Sequence, residues 1–234
     1  MIAHRGASGS APENTLAAFR RAAALGADMI ELDVQLTRDG EVVVIHDWTL
    51  ERTTSGSGPV GACSLAELRR LDAGAWFGPA FAGERVPTLG EVLGAVALPV
   101  NVELKPAGDD GLEAHALTVV AAAGAAQRVV FSSFALVALE RLRVLSEEAT
   151  IGLLWETAAI AEALEAAGRV AARALHLRKD VATPETLAAL ASAGLPVRVW
   201  TVNEPAELAR LGACRVEAIF TDYPERFLHP QRLR

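Results

Sequence analysis

Nine short apolar runs with strand character alternate with Ala- and Leu-rich amphipathic segments along the whole chain, and no other feature restricts its fold so strongly. Such alternation marks repeated βα units around a parallel sheet. The runs fall at residues 2–4, 29–34, 42–45, 100–104, 129–132, 150–154, 174–177, 197–201 and 218–221. One is out of step. Between the second and third lies only Thr37-Arg38-Asp39-Gly40, and four residues cannot hold the crossover helix that a parallel neighbour requires. Asp-Gly is a favoured hairpin signal, so 42–45 is expected to return antiparallel to strand two. Eight strands remain, each followed by a helix candidate, at 15–25, 89–96, 112–123, 136–145, 158–167, 184–193, 204–211 and a short 224–228. The expected fold is α/β, a (βα)8 TIM barrel with one extra hairpin strand after strand 2.

At 234 residues the chain fits a single barrel domain, 1–234. Helix starts are marked by Asn14-Thr15, Thr183-Pro184-Glu185 and Asn203-Glu204-Pro205, which offer capping side chains or an N-terminal Pro. Residues 48–87 exceed an ordinary loop. They contain Gly, Ser and Pro, a helix-like piece at 64–71 and the aromatics Trp76, Phe77 and Phe81. This stretch is expected to be an insertion in the second βα unit, a lid over the barrel mouth with the aromatics as its own small core.

The composition excludes several classes. Hydrophobic residues make up 51%, yet every long apolar run is broken before the ~18 residues that a membrane span needs. The start Met-Ile-Ala-His-Arg-Gly has no apolar region of the signal-peptide kind, so a cytoplasmic protein without stable membrane association is expected. Cys63 and Cys214 are too few for a disulfide framework and have no metal spacing; both are read as reduced and structural. A net charge of −7 argues against nucleic acid as a partner. No feature selects between a monomer and a homodimer.

In such barrels the active site is built at the carboxyl ends of the strands. Charges collect there. His4-Arg5-Gly6 follows strand one. Glu31 and Asp33, at i and i+2, share one face of strand two, and Glu103 and Lys105 share one face at the end of the next barrel strand. His46-Asp47 ends the antiparallel return, and Ser132, Trp200, Thr201 and Asp222 end later strands. Each pair alone is ordinary, since a Glu-x-Asp pair is usually a solvated face and Glu-x-Lys a surface ion pair. Their recurrence at successive strand ends is not. Glu31, Asp33 and Glu103, with no Cys and no obvious His beside them, form an oxygen-rich site suited to Mg2+ or Ca2+. His4 and His46, each with an ordinary pKa of about 6.5, then suit an acid/base pair. An anionic substrate that gathers charge on non-bridging oxygens, as a phosphate ester does on hydrolysis, fits the set. His115 and His229 are read as solvent-facing, and His176 as a residue that could enter the barrel mouth. Pro12-Glu13-Asn14-Thr15 is read as loop and helix capping first, with Asn14 as a second-choice partner near the site.

The ordered motifs His4-Arg5-Gly6, Pro12-Glu13-Asn14-Thr15, Glu31-Leu32-Asp33-Val34, Thr37-Arg38-Asp39-Gly40, His46-Asp47, Leu50-Glu51-Arg52-Thr53-Thr54, Gly56-Ser57-Gly58, Pro87-Thr88-Leu89, Glu91-Val92-Leu93, Glu103-Leu104-Lys105, Trp200-Thr201-Val202-Asn203 and Thr221-Asp222-Tyr223-Pro224 closely resemble those of the glycerophosphodiester phosphodiesterases of the cytoplasmic bacterial type. The resemblance runs from residue 2 to about 224. It implies a (βα)8 barrel that uses a divalent cation to hydrolyse small deacylated phospholipids to glycerol 3-phosphate and an alcohol. By motif it implies Glu31, Asp33 and Glu103 as metal ligands, His4 and His46 as the acid/base pair, Arg5 and Lys105 on the phosphoryl oxygens and Trp200 against the glycerol. It also identifies 48–87 as the family's insertion. The stretch Leu175-His176-Leu177-Arg178-Lys179 matches no pattern, which leaves that side of the alcohol pocket undefined. Which His is the acid stays open, as does direct attack by water against a cyclic phosphate route. Two other readings are a lysophospholipid or sphingolipid phosphodiesterase of the same superfamily and a non-catalytic barrel that binds phosphorylated ligands.

Overall fold

Residues 1–212 and 216–227 are described in a computed structural model of the chain. Side-chain parity organises them. In β2 (Met29–Leu36), Ile30, Leu32 and Val34 are fully shielded within the main apolar core, while Glu31 and Asp33 between them turn to the barrel interior. The same alternation recurs in β4 (Val100–Leu104), where Val100, Val102 and Leu104 join the core and Asn101 and Glu103 face in. The core therefore lies between strands and helices, as it must where helices cover a parallel sheet.

β1 (Ile2–Ala3), β2, β4, β5 (Val129–Ser133), β6 (Thr150–Trp155), β7 (Ala174–Arg178), β8 (Val197–Trp200) and β9 (Ala218–Thr221) pair in parallel, and pairing of β1 with both β9 and β2 closes the ring. The helices are α1 (Leu16–Ala24), α2 (Leu65–Leu68) within the insertion, α3 (Leu89–Ala95), α4 (Leu112–Ala122), α5 (Leu136–Leu145), α6 (Ile160–Arg169), α7 (Pro184–Ser192) and α8 (Pro205–Gly212). After β9 only the 3-10 turn Pro224–Arg226 follows among the described residues, and the end of the expected 224–228 helix lies outside them. Thr15 and Thr183 cap α1 and α7 as expected, accepting hydrogen bonds from the Ala18 and Thr186 amides. None of the helices in the described residues is long and apolar enough to cross a membrane.

The ninth strand, β3 (Val42–Val44), pairs antiparallel with β2, with Val34 opposite Val44 and Leu36 opposite Val42. Gly40 closes the turn at φ +81°, a left-handed conformation that favours glycine. β3 has two apolar faces. Val42 and Val44 pack in the barrel core, whereas Val43, with Ile45 just beyond the strand, packs in a second cluster with Leu50, Val60, Leu68, Ala73 and Val86. This is why the chain needs a hairpin here: one strand with period-2 alternation serves as a wall shared by barrel and insertion.

One expectation about the insertion is corrected and another finds no support. None of residues 48–87 lines the central cavity, and Thr53, Thr54, Ala73 and Val86 border a smaller hollow beside Glu13 and His46 instead. Trp76, Phe77 and Phe81 stack edge-on at 5.6 and 5.5 Å but lie outside its core, with Trp76 exposed. The core positions are filled by aliphatic side chains, whose spacing follows β3 and α2. Leu68→Ala is expected to cost about 2–5 kcal/mol through the cavity it leaves in this small cluster. Chemical unfolding would show it, and a loss under about 1 kcal/mol would mean that the cluster does not support the fold.

Cys63 is a free, half-buried thiol, and Cys214 and His229 lie outside the described residues. His115 is exposed, as read from the sequence.

Candidate active site

Directly after β1 the chain turns sharply, with Arg5 at φ +55° and Gly6 at φ +83°. A Cβ on Gly6 would lie 2.6 Å from the Ala18 carbonyl carbon, so the turn requires glycine. It aims the Arg5 amide at Glu31 Oε2, 2.8 Å away, and sets the Arg5 guanidinium 3.2 Å from Asp33 Oδ2. β2 and β4 are in register with Asp33 opposite Glu103. Carboxylate oxygens of Glu31, Asp33 and Glu103 consequently all lie within 4.8 Å of one another. β2 continues three residues past Asp33, so the pair sits inside the strand rather than at its end; its barrel pairing ends one residue on, with Val34 opposite Leu104, and residues 34–36 pair in the hairpin.

Three buried carboxylates this close cannot all stay charged without compensation. Burial, then Asp33 and Glu103, pushes Glu31 well above the ordinary range, and burial followed by Asp33 pushes Glu103 up to about 8. Burial acts on Asp33 in the same direction, but the charges of Arg5, His46 and Lys105 and a bond from Asn14 outweigh it and hold Asp33 low. Asn14 Nδ2 donates to Asp33 Oδ2 at 2.8 Å, and Asp33 Oδ1 is buried with no hydrogen-bond partner among the described residues. An orphaned carboxylate oxygen and two carboxyls whose pKa values are raised by burial and by the charge of Asp33 fit a hard divalent cation, whose arrival would satisfy the first and favour ionisation of the others.

A pH dependence follows. The folded, cation-free protein holds protons on Glu103 that the unfolded chain releases, so its stability falls as pH rises from an ordinary 4.5 to about 8. Cation uptake near pH 7 is expected to expel protons, and calorimetry in two buffers of different ionisation enthalpy would measure them. Equal apparent heats in both buffers would rule out the raised carboxyls.

Each candidate histidine is held by an aspartate through Nδ1. His4 Nδ1 lies 2.7 Å from Asp222 Oδ1, and His46 Nδ1 lies 2.6 Å from Asp47 Oδ1. Burial acts to raise Asp222, but the His4 bond and charge bring it down to about 2. Asp47 is held well below the usual range, chiefly by bonds from Arg52. Both aspartates are thus acceptors at neutral pH, each ring donates its Nδ1 proton, and Nε2 is left for the site. Burial lowers the His46 pKa, ahead of opposing contributions from Asp33 and Asp47, which favours the neutral ring.

These groups meet at a cavity of ≈ 110 Å³ at the carboxyl ends of the strands. His4, Arg5, Glu31, Glu103, Lys105 and His46 contribute from β1, β2, β4 and the β3 return, while Phe134, Leu154, Trp200 and Phe220 contribute from the other arc of the barrel. Lys105 Nζ is 3.7 Å from Glu103 Oε1. Trp200 is fixed by its Nε1 donating to the His176 carbonyl at 2.9 Å, and meets Phe134 edge-on at 5.5 Å. Of the eight residues expected from the sequence, seven line the cavity; Asp33 does not, and reaches the site through the carboxylate cluster.

His176 does not reach the barrel mouth. Its ring enters the barrel interior, packed on Phe220 at 5.1 Å in the space that Gly152 leaves by lacking a Cβ, and it does not line the cavity. Burial, then Arg198, pushes it down to about 3, so it is neutral and takes no proton at physiological pH. Sequence reasoning also missed a residue that aims the site. Asn203, expected to cap α8, instead donates from Nδ2 to Asp222 Oδ2 at 2.7 Å and accepts the Asp222 amide at 2.9 Å. The only signal for it was an Asn placed before a helix that already had a Pro. Asn14 bonds to Asp33, the partnership near the site that the sequence had allowed beside a capping role.

A family model described as Glycerophosphoryl diester phosphodiesterase family matches residues 4–226. The chain belongs to this family. A family relative, the glycerophosphodiester phosphodiesterase of Caldanaerobacter subterraneus subsp. tengcongensis, is 41% identical over 98% of this chain and 96% of its own length. One from Bacillus subtilis with the same name is 32% identical over 97% and 84%. Among solved family structures, a phosphodiesterase from Oleispira antarctica in complex with the product sn-glycerol-3-phosphate superposes with a TM-score of 0.87 at 34% identity, covering 96% of this chain and 93% of that one. A glycerophosphodiester phosphodiesterase from Agrobacterium tumefaciens gives 0.83 at 31%, covering 97% of both. Family membership makes the chain a phosphoric diester hydrolase and its barrel the family's TIM barrel.

Proposed function

We propose that this site hydrolyses glycerophosphodiesters to sn-glycerol 3-phosphate and an alcohol, with Mg2+ or Ca2+ held by Glu31, Asp33 and Glu103. The observation that carries the reading is the meeting, at one cavity, of two aspartate-held imidazoles, the cationic Arg5 and Lys105 and the carboxylate cluster. A divalent cation there supplies Lewis-acid stabilisation of charge on the phosphoryl oxygens. Arg5 and Lys105 bind the remaining phosphoryl oxygens. The Nε2 of one histidine takes the proton of the attacking hydroxyl as its oxygen bonds to phosphorus. The Nε2 of the other gives a proton to the alkoxide as the phosphorus–oxygen bond to the alcohol breaks. The product named for the Oleispira enzyme supports glycerol phosphate as the unit recognised. The same proposal sets the reaction in the cytoplasm, on soluble diesters, by a monomer or homodimer.

Trp200, with Phe134 beside it, gives the glycerol an apolar wall. Trp200→Ala is expected to lower kcat/KM on glycerophosphodiesters by about 10-fold, the order associated with one lost apolar contact in a pocket. An unchanged kcat/KM would place the glycerol elsewhere.

Purified protein tested on a panel of glycerophosphodiesters, with EDTA and after restoring Mg2+ or Ca2+, decides the activity. Cation-dependent turnover is expected. Absence of turnover on every diester would favour a phosphate-binding role, and faster turnover of lysophosphatidylcholine than of glycerophosphocholine would favour a lipid substrate.

A further inference from the structure

Arg52 belongs to the Leu50-Glu51-Arg52-Thr53-Thr54 motif, stands on the insertion, and does not line the cavity. Four of its N–H bonds nevertheless run to two carboxylates that do not belong to the insertion's core. Nε and Nη2 donate to Asp47 Oδ2 and Oδ1 at 2.6 and 2.9 Å, and Nη1 and Nη2 donate to Glu13 Oε2 and Oε1 at 2.7 and 2.9 Å. The oxygens that share Nη2 are the ones that hold the site. Asp47 Oδ1 is also 2.6 Å from His46 Nδ1, and Glu13 Oε1 also accepts from Arg5 Nη1 at 2.8 Å. A continuous chain therefore runs Arg5–Glu13–Arg52–Asp47–His46, joining the loop after β1 to the return after β3, two segments 41 residues apart at Arg5 and His46 (46 − 5).

We propose that Arg52 is a positioning residue that sets the phosphate-binding Arg5 and the proton-transferring His46 at a fixed separation, so that the insertion keeps the two halves of the catalytic geometry in register. The proposal rests on the roles given to Arg5 and His46 under the proposed function. A lone exposed ion pair would do little of this. Arg52 is half-exposed, but its planar fork engages both oxygens of both carboxylates, and such a fork specifies orientation as well as charge. Each carboxylate has one oxygen bound by the fork alone and one shared with a site residue, so neither can swing without breaking two bonds. Lysine carries the charge but offers no fork, and cannot reproduce the bridge. The arrangement also gives the insertion a reason to begin immediately after His46-Asp47: its first turn places Arg52 five residues beyond Asp47, back over the dipeptide it clamps.

The test compares Arg52→Gln, Arg52→Lys, Glu13→Gln and Asp47→Asn by steady-state kinetics on glycerophosphocholine with saturating Mg2+, with thermal unfolding of each variant. Arg5→Ala and His46→Ala are measured beside them. Glu13→Gln is expected chiefly to raise KM through Arg5, and Asp47→Asn chiefly to lower kcat through His46. Arg52→Gln is expected to do both, reducing kcat/KM by about 10–100-fold, the range for groups that orient site residues. Arg52→Lys is expected not to restore it. Because Arg52 acts through the other two, the Arg52→Gln/Asp47→Asn double variant should lose no more kcat than Asp47→Asn alone. Kinetic constants within twofold of the parent for Arg52→Gln, full rescue by Arg52→Lys, or additive losses in the double variant would each overturn the proposal. If Arg5→Ala and His46→Ala are themselves fully active, the functional reading fails first, and the two failures are thereby distinguished.

Discussion

His46→Ala and His4→Ala are each expected to lower kcat on glycerophosphodiesters by about 10²–10⁴-fold, the contribution usual for a positioned proton-transfer group. Both rings are partly exposed at the cavity, so truncation removes little packing and folding should survive. Each ring also shows the same device. An ionised aspartate accepts a hydrogen bond from Nδ1–H, which fixes the tautomer and leaves Nε2 for the proposed proton transfer. If either alanine variant turns over within about twofold of the parent, while unfolding at the parent temperature, that histidine has no part in proton transfer. Ser8, whose hydroxyl lies within hydrogen-bond reach of both the His4 carbonyl and Asp222, and Asn203 hold the Asp222 side in place.

Glu103→Gln is expected to abolish most activity and to stabilise the cation-free fold, two effects of opposite sign from one buried charge. A ligand carboxylate at a site that stabilises several kcal/mol of transition-state charge is expected to contribute about 10²–10⁴-fold in rate. Removing EDTA-accessible cation should reproduce that loss in the parent. Without the cation, however, burial first and the charge of Asp33 second disfavour an ionised Glu103 and push its pKa up to about 8. A neutral amide avoids both costs, so the melting temperature of the EDTA-treated variant at pH 8 should exceed that of the parent. This is a general trade between stability and activity at preorganised sites. A lower melting temperature under those conditions would mean that Lys105 and Arg5 already neutralise the cluster, and the argument for a cation would fail.

Much of the molecule was legible in the chain. Strand boundaries matched within one or two residues because the outward face of a barrel strand is apolar wherever a helix covers it, as at Ile30, Leu32 and Val34. The hairpin was legible because a four-residue link has only one geometric solution, and Val42 indeed pairs antiparallel with Leu36. Charges such as Glu31 and Asp33 stood out for the complementary reason: a residue on the inward face of a strand end is costly unless the site uses it.

What was not legible was how side chains are held and what packs around them. The insertion's aromatics looked like a core because aromatic clusters often are, but the second face of β3 had already supplied aliphatic partners, and this is visible only once Val43 and Ile45 are seen to face away from the barrel. His176 could have reached the mouth because parity turns it inward; its ring instead fills the space beside Gly152 and packs on Phe220, outside the cavity lining. Asn203 read as a helix cap from its local sequence, and a distant carboxylate, Asp222, claimed its side chain instead.

The chain by itself therefore determined the barrel, the odd antiparallel strand and the identity of the charged groups at its mouth, since these follow from period-2 alternation, link length and the cost of burying charge. Only the tertiary structure decided how those groups are held. Aspartates behind both histidines and the Arg52 bridge between Glu13 and Asp47 join segments far apart in sequence, and hydrogen-bond direction at that range is set by register and turn geometry, which no local pattern encodes.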